Sequence, residues 1–560
     1  MLSRREGGGG SGHMEPGKGE ESFPSGLRAR VSIHRPARRT RRDEEHDEGK
    51  DDQLSPAGIW GSCWRLYAAL STFRVLNCLL VQSSFVPDEY WQSLEVAHAL
   101  TFGYGHLTWE WREGIRGYAY PFAIALQYKL LTALGLESTT LLIWLPRLSH
   151  ALLAAFADLK LYHAANDLSG ARVARWVLLC QLCSWFTWYS CTRTLTNSVE
   201  ASLTCIAMAH LPWASRSPRS SMVRSVCVLV LAVLVRPTAA VPWLLPMAVA
   251  LWRQRPPPWA PLGHLLAIGL AGLTASLLID RMCYGEWVCV QLRFLWVNAA
   301  RDIGSFYGSH PWHWYLSQGL PAVLGPLLPL ALAGWRHAPL TMRGAVLVTL
   351  LTYRRVLLSH KEFRFIYPVL PFCLIMCGHS LRRLWSPGAA RGLLLAARRG
   401  LALVLLLSSL MGGLYLGLVH QRGTLDVMGD VRALCGPSEA QRSVWFLTPC
   451  HSTPLYSHVH CRLDLRILEC PPDLDGNPDY REEVEEFYRE PVQWLRAEFS
   501  ARGEPSHVVL FNVLEPVVEK FLAERGFVRT ASHFHTHFPE GRLGSHIGLF
   551  ERQNVSQIAG

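Results

Sequence analysis

The chain has 560 residues, is 49% hydrophobic and only 18% charged, and carries 21 tryptophans and a formal net charge of +11. So low a charged fraction, with many apolar runs near the ~20 residues that cross a bilayer, excludes an ordinary soluble protein and indicates a polytopic membrane protein. The excess arginine forms no single patch with interleaved aromatics, which excludes a nucleic-acid footprint; it gathers in the N-terminal tail (Arg35, Arg38, Arg39, Arg41, Arg42) and in short loops, the pattern of the positive-inside rule.

Residues 1–60 read as a disordered, basic, cytoplasmic tail, made flexible by "GGGGSG". They are too long for the n-region of a signal peptide, so the first apolar run, 64–84, acts as an uncleaved anchor. The stretch "FVPDEYWQSLE" (85–95) then emerges on the opposite side, luminal in a eukaryotic cell. Residues 118–136 are apolar but carry Lys129 and read as an interfacial helix. Further spans are expected near 141–161, 176–190 and 195–213. Residues 222–252 are broken at Arg236-Pro237-Thr238 and read as two short helices meeting at the proline. Another span is expected at 262–279, followed by a polar, aromatic loop at 280–314. Three more lie near 315–334, 345–358 and 365–377, and the last at 401–419. Arg354 and Arg355 stand where the second of those three should be apolar.

With 118–136 as an interfacial helix and 222–252 as a hairpin, the count is about eleven spans, and every arginine-rich loop is cytoplasmic. Loops 85–138 and 280–314, "SHKEFR" (359–364) and the C-terminal residues 421–560 are then luminal. The chain thus divides into the tail 1–60, a membrane domain 61–420 and a soluble domain 421–560. "SVWFLTP", "HVVLFNVL" and "HIGLF" in the last read as strands, and "PVVEKFLAERG" as an amphipathic helix closed by Gly526. A small α/β domain follows. Its four cysteines, Cys435, Cys450, Cys461 and Cys470, suit disulfides in any of three pairings. Asn554-Val555-Ser556 is a glycosylation sequon usable only in the lumen.

Asp88 and Glu89 stand just past the first span, beside Pro87, Tyr90, Trp91 and Gln92. Aromatic rings there serve as interface anchors or as platforms for a sugar face. "SHKEFRFIYPVLP" brings His360, Lys361, Glu362 and Arg364 to a span boundary: a solvated helix end, or an anion site for a membrane-embedded phosphate. "FYGSHPWHWY" adds His310, and Arg236 is an intramembrane charge, hence paired or functional. A carboxylate base, aromatic platforms and cations beside lipid suit glycosyl transfer from a polyprenyl-phosphate sugar. The acceptor hydroxyl must lose a proton as it attacks, and a carboxylate can take it. The phosphate leaves with its own charge, so it needs cations and no general acid. One base implies in-line displacement with inversion. Asp88 is expected to be the base, and Glu89 to hydrogen-bond substrate or orient the loop. "DLD" (473–475) has metal-site spacing but sits in a Pro/Gly-rich turn, and "HFHTHF" lacks a nearby fourth ligand, so no metal is expected. "CQLC" (180–183) lies inside a span and reads as apolar filler.

"PDE" after the first span and "HKEFRFIYP", with "LCSWFTWYSCTRTLTN", "FYGSHPWHWYLSQGLP" and "PCHSTPLYSHVHC", resemble the dolichyl-phosphate-mannose-dependent mannosyltransferases of the GT-C class, glycosyltransferase family 22, and within them the glycosylphosphatidylinositol (GPI) branch. The resemblance covers nearly the whole chain after about residue 60. It implies a mainly α, GT-C-type bundle and an endoplasmic-reticulum α-1,2-mannosyltransferase that adds the third mannose to a GPI precursor. The donor would be dolichyl-phosphate mannose, β-linked against an α-linked product, with no cofactor or metal. The catalytic acidic position would be Asp88-Glu89. The rival readings are an N-glycan-precursor mannosyltransferase and a non-catalytic lipid transporter or flippase.

Overall fold

The computed structural model describes residues 62–213, 221–253, 259–300, 303–355, 360–386, 392–436, 442–474, 477 and 479–553. The basic tail and Asn554 lie outside the described residues. The helical part comprises α1 (Cys63–Leu80), α2 (Glu95–Phe102), α3 (Ala119–Ala133), α4 (Thr139–Ser169), α5 (Ala171–Cys183), α6 (Thr196–His210), α7 (Met222–Val235), α8 (Leu244–Trp252), α9 (Trp259–Tyr284), α10 (Leu340–Arg355), α11 (Leu370–Leu384) and α12 (Leu393–Leu418), with short turns between.

Helix α4 is the centre of the bundle and packs against α1, α5 and α6. Ser138 caps it through the Leu141 N–H, and Gly170 ends it at φ 81, a left-handed value that glycine adopts without a Cβ penalty. At 31 residues it is about 46 Å long at 1.5 Å per residue, ample for a bilayer core. Inside the bundle, Arg74 of α1 and Asp158 of α4 are fully buried and paired at 2.6 Å. Gln181 of α5 donates to the other Asp158 oxygen at 2.9 Å. Arg74 also donates to Asn77, which in turn donates to the Trp188 carbonyl. The pair is therefore part of a wider hydrogen-bonded network, the arrangement a buried charge requires.

Five described segments are long and apolar enough to cross a membrane: Thr139–Ser169, Leu262–Tyr284, Tyr315–His337, Phe363–Leu384 and Leu393–Ala433. Met222–Val235, Pro237–Trp252 and Leu340–Tyr353 are shorter apolar helices. The expected eleven or so crossings are thus not matched one for one by long apolar helices among the described residues. Arg65, Arg74 and Asn77 dilute α1, and other runs fold as short helices joined by 3₁₀ or π turns. Residues 222–252 do break where Pro237 removes a donor: α7 ends at an extended Arg236, and a 3₁₀ turn, Pro237–Trp243, leads into α8. Helix α10 ends at Arg355, so Arg354 and Arg355 close the apolar run. Leu266, Leu270 and Met282 of α9 are exposed. That is unfavourable in water and expected against lipid.

The chain leaves α12 through α13 (Gly423–Ala433) into a five-stranded sheet of order β2-β1-β3-β5-β4. Its strands are β1 (Ser443–Phe446), β2 (Asp464–Ile467), β3 (His507–Phe511), β4 (Phe527–Phe534) and β5 (His546–Arg552). β1 runs parallel to β2 and β3, and β5 antiparallel to β3 and β4. β3 is buried on both faces, as its apolar run "HVVLF" demands. Val508 and Leu510 enter a core with Phe487, Phe499 and Phe521 from the covering helices. Val509 and Phe511 point the other way, into a core shared with α13 and with Tyr90, Trp91 and Leu94. The sheet therefore continues the helical core. Of the three possible pairings, the cysteines adopt Cys435–Cys461 and Cys450–Cys470.

Asp158→Ala would strand the Arg74 guanidinium in the core, at a cost of about 3–5 kcal/mol. The expected result is a sharply lower yield of monodisperse protein in detergent and a lower thermal midpoint, largely recovered in the Arg74→Leu/Asp158→Leu double variant. Wild-type stability in the single variant would refute the assignment.

Candidate active site

The loop after α1 turns back into a helix at Asp88. Pro87 stands just before it, and its carbonyl accepts the Tyr90 and Trp91 N–H groups at 3.0 Å. The helix starts with the two acids, where its dipole favours negative charge. It passes through a π turn, Tyr90–Leu94, into α2. Adjacent helical positions point about 100° apart, so Asp88 and Glu89 separate.

Glu89 turns inward and is 2% exposed. Its carboxylate takes a hydrogen bond from Arg193 Nη1 at 2.8 Å. Arg193, fully buried, also donates to the Ser83 carbonyl, to Ser83 Oγ at 2.9 Å and to the Tyr189 carbonyl at 2.6 Å. Ser93 and Thr194 hydroxyls donate to the Glu89 carbonyl. Glu89 thus anchors the loop. Asp88 turns outward, its side chain 22% exposed, with Oδ2 at 2.5 Å from Arg364 Nη1. Arg364 also grips Glu362 in a two-pronged bond, Nε and Nη2 each at 2.6 Å. His360 Nε2 closes the chain on Glu362 at 3.3 Å. The candidate residues Asp88, Arg364, Glu362 and His360 are therefore one connected cluster, although Asp88 stands far earlier in the chain than the other three, which lie within five residues of one another, and only folding brings it to them. Burial acts to raise the Glu362 carboxyl, but Arg364 and His360 outweigh it and hold it well below the usual range. The hydrogen bond to Glu362 lifts the His360 imidazole above its ordinary value, against burial.

The remaining expected residues fall around this cluster. Lys361 is buried and donates to the His310 carbonyl at 2.8 Å, while the His310 ring stacks on Trp314. Gln92 reaches Glu110 at 3.4 Å, and Glu110 pairs with Arg116 at 2.5 Å. Arg116 in turn interacts electrostatically with Asp88. Arg236 pairs with the buried Glu200 at 3.0 Å. Gln92, Arg116, Thr196 and Arg236 line one cleft, whose apolar wall includes Tyr120, Leu234 and Phe294. Glu89 and Tyr90 line a second cleft on the other side of the loop. Trp91 is only 3% exposed. Its ring packs on His451 and His106, and its indole N–H donates to the Thr453 carbonyl. In this structure it holds the loop down, and its faces are covered.

Arg193, Arg116, Glu200 and Glu95 join this arrangement without standing out in the sequence. Glu95, fully buried, accepts the Leu455 and Ser457 N–H groups and the Ser457 hydroxyl on one oxygen, which clasps α2 to the disulfide-bordered segment 450–461. Burial raises its carboxyl above the usual range. The one available signal was an acidic residue at the head of the mostly apolar stretch "EVAHAL". Among the described residues, no group of three or more His, Cys, Asp or Glu could hold a metal ion.

The model of the Alg9-like mannosyltransferase family matches residues 65–460. The chain is 48% identical over 529 residues to the GPI alpha-1,2-mannosyltransferase 3 of Mus musculus, covering 93% of this chain and 95% of that one. It is 49% identical over 499 residues to the protein of the same name from Homo sapiens, covering 87% of each. The fold is similar to that of ArnT from Cupriavidus metallidurans bound to undecaprenyl phosphate, with a TM-score of 0.51 and 14% identity over 88% of this chain and 98% of that one.

The shifted pKa values define a pH window. The His360 contribution to stability is complete below its ordinary 6.5 and is lost as pH rises through the raised value. The Glu362 contribution is complete above its ordinary 4.5 and is lost as pH falls toward the lowered value. The thermal-midpoint gap between wild type and His360→Gln should therefore be widest near about pH 5–6 and shrink toward about pH 9. A gap that widened with rising pH would contradict the His360–Glu362 pairing.

Proposed function

This chain belongs to the Alg9-like mannosyltransferase family, and from that premise we propose that it transfers an α-1,2-linked mannose from dolichyl-phosphate mannose to a GPI precursor, on the luminal side of the endoplasmic-reticulum membrane, with inversion. The observation that carries this reading is the position of Asp88. It is the outward member of the acidic pair, is reachable by solvent, and stands on a loop flanked by two clefts.

The cleft of Gln92, Arg116 and Arg236 suits the donor. Its apolar wall fits a polyprenyl chain, and its guanidiniums fit the phosphate. Arg364 faces the same loop, and with Arg116 it would stabilise charge developing on the leaving phosphate. In the proposed step, an acceptor hydroxyl gives its proton to an Asp88 carboxylate oxygen while its own oxygen bonds to the anomeric carbon. The anomeric carbon–oxygen bond to phosphate breaks, and dolichyl phosphate departs with the electron pair. Attack opposite the leaving group converts a β-linked donor into an α-linked product. Glu89 does not reach the reacting atoms in this scheme; it fixes the direction in which Asp88 points. His310 and Lys361 brace the Arg364 segment from the 310–314 turn.

Asp88→Asn keeps the shape of the side chain and removes the base. Transfer should fall about 10²–10⁴-fold, with protein level, thermal midpoint and donor binding retained. Normal turnover in that variant would remove the assignment. Offering both a GPI precursor and an N-glycan precursor as acceptor separates the proposed substrate from its relative.

A further inference from the structure

On the Glu89 side of the loop, the second cleft, about 340 Å³, opens between the start of α4, the turn after α1, and α13. Three guanidiniums line it: Arg147, Arg422 and Arg432. Arg422 is satisfied by Asp426 at 2.8 Å. The other two are not neutralised in this way. Arg147 is 9% exposed. Its Nη2 donates to the Val81 and Cys78 carbonyls, and its plane lies 4.6 Å from the Trp144 ring centroid. Its Nε, pointing from the same buried fork, has no hydrogen-bond partner. Among the described residues no carboxylate pairs with Arg147 or Arg432; Glu89, which shares the cleft, is engaged by Arg193. His458 lies against both arginines and is held down at about 3, first by burial and then by these two cations, so it adds no charge of either sign near neutrality. Burying a guanidinium without a counter-anion is costly, and a planar fork is well matched to phosphate oxygens. Ile143, Leu425 and Met428 add apolar surface to a lining that also carries the hydroxyls of Ser83, Thr140 and Thr194. Because α4 is a membrane-spanning segment whose first turns form one wall, the cleft lies where a lipid's headgroup meets its chains.

We propose that this second cleft takes a phosphodiester carried by the acceptor glycolipid, with Arg147 and Arg432 as the groups that recognise it. The proposal rests on the functional reading above and extends it. Donor phosphate and acceptor phosphate then occupy opposite sides of one loop, and the sugar hydroxyl and anomeric carbon meet at Asp88 between them. An ordinary anionic phospholipid headgroup offers the same chemistry, so the test includes it.

The full chain in nanodiscs is assayed with two synthetic acceptors that bear the same mannosyl glycan, one on a phosphodiester-linked lipid and one on a neutral dialkylglycerol. Wild type should show a KM at least about tenfold lower for the phosphodiester acceptor, the scale of one charge-assisted contact. In Arg432→Gln the ratio of the two KM values should fall toward one, and the KM for donor should not follow it. Arg147→Gln should act in the same direction. Because Arg147 also holds the end of α1, the exposed Arg432 is the deciding variant. Glycan-free phosphatidylinositol that competes with the phosphodiester acceptor in wild type, and not in Arg432→Gln, supports the site as a general phosphodiester site; failure to compete, with the KM ratio still collapsed, supports an acceptor-specific one. Equal KM values for the two acceptors in wild type, or an unchanged ratio in Arg432→Gln, overturn the proposal. Either result leaves transfer to the neutral acceptor measurable, so a failure here stays distinct from a failure of Asp88.

Discussion

Two guanidiniums pull neighbouring carboxylates in different directions, and the rest of the site depends on that division. Arg193 draws Glu89 into the bundle, while Arg364 faces Asp88 at its surface. A buried, paired Glu89 is a poor candidate to move protons, and its bond to Arg193 ties the first turn of the helix to the bundle. The π turn that follows passes the same constraint into α2. Side chains held in this way stay in one geometry, which the proposed displacement requires.

The C-terminal sheet domain is continuous with this arrangement. β3 places alternate side chains in two cores, one of them shared with Tyr90, Trp91 and Leu94. Segment 450–461, bordered by the two disulfides, supplies the Thr453 carbonyl to Trp91 and a hydrogen-bonded cradle to Glu95. His98 and His460 meet at 3.0 Å farther along α2. The helix bearing Asp88 is thus held from the bundle by Arg193 and from the sheet domain by Glu95. The buried state of Trp91 follows directly. A ring that the sequence offered as a platform for a sugar is occupied in joining the two parts.

Among the candidate residues, those legible in the sequence were local. Pro87-Asp88-Glu89 could be read because an acidic pair after an apolar run is unusual, and Arg236 because a charge beside a proline inside such a run is costly. His360, Glu362 and Arg364 stood out for the same reason. Their partners did not. Arg193 pairs with Glu89 from 104 residues away, Glu95 is satisfied from 360 and 362 residues away, and Arg74 meets Asp158 across 84. No periodicity or spacing reports such pairs. The number of crossings was also hard to read, because hydropathy does not distinguish a straight span from short helices joined by 3₁₀ and π turns.

Composition and the order of apolar runs were enough to make this a helical membrane protein with a small α/β domain after it, because the cost of exposing or burying a side chain is carried residue by residue. The matched stretches around Asp88 and Arg364 were enough for the family. Which acid is buried against Arg193, which stays partly exposed beside Arg364, and which arginines are committed to carboxylates was decided only in three dimensions. An ion pair is a property of two positions brought within a few ångströms, and only the packing of the whole chain brings them there.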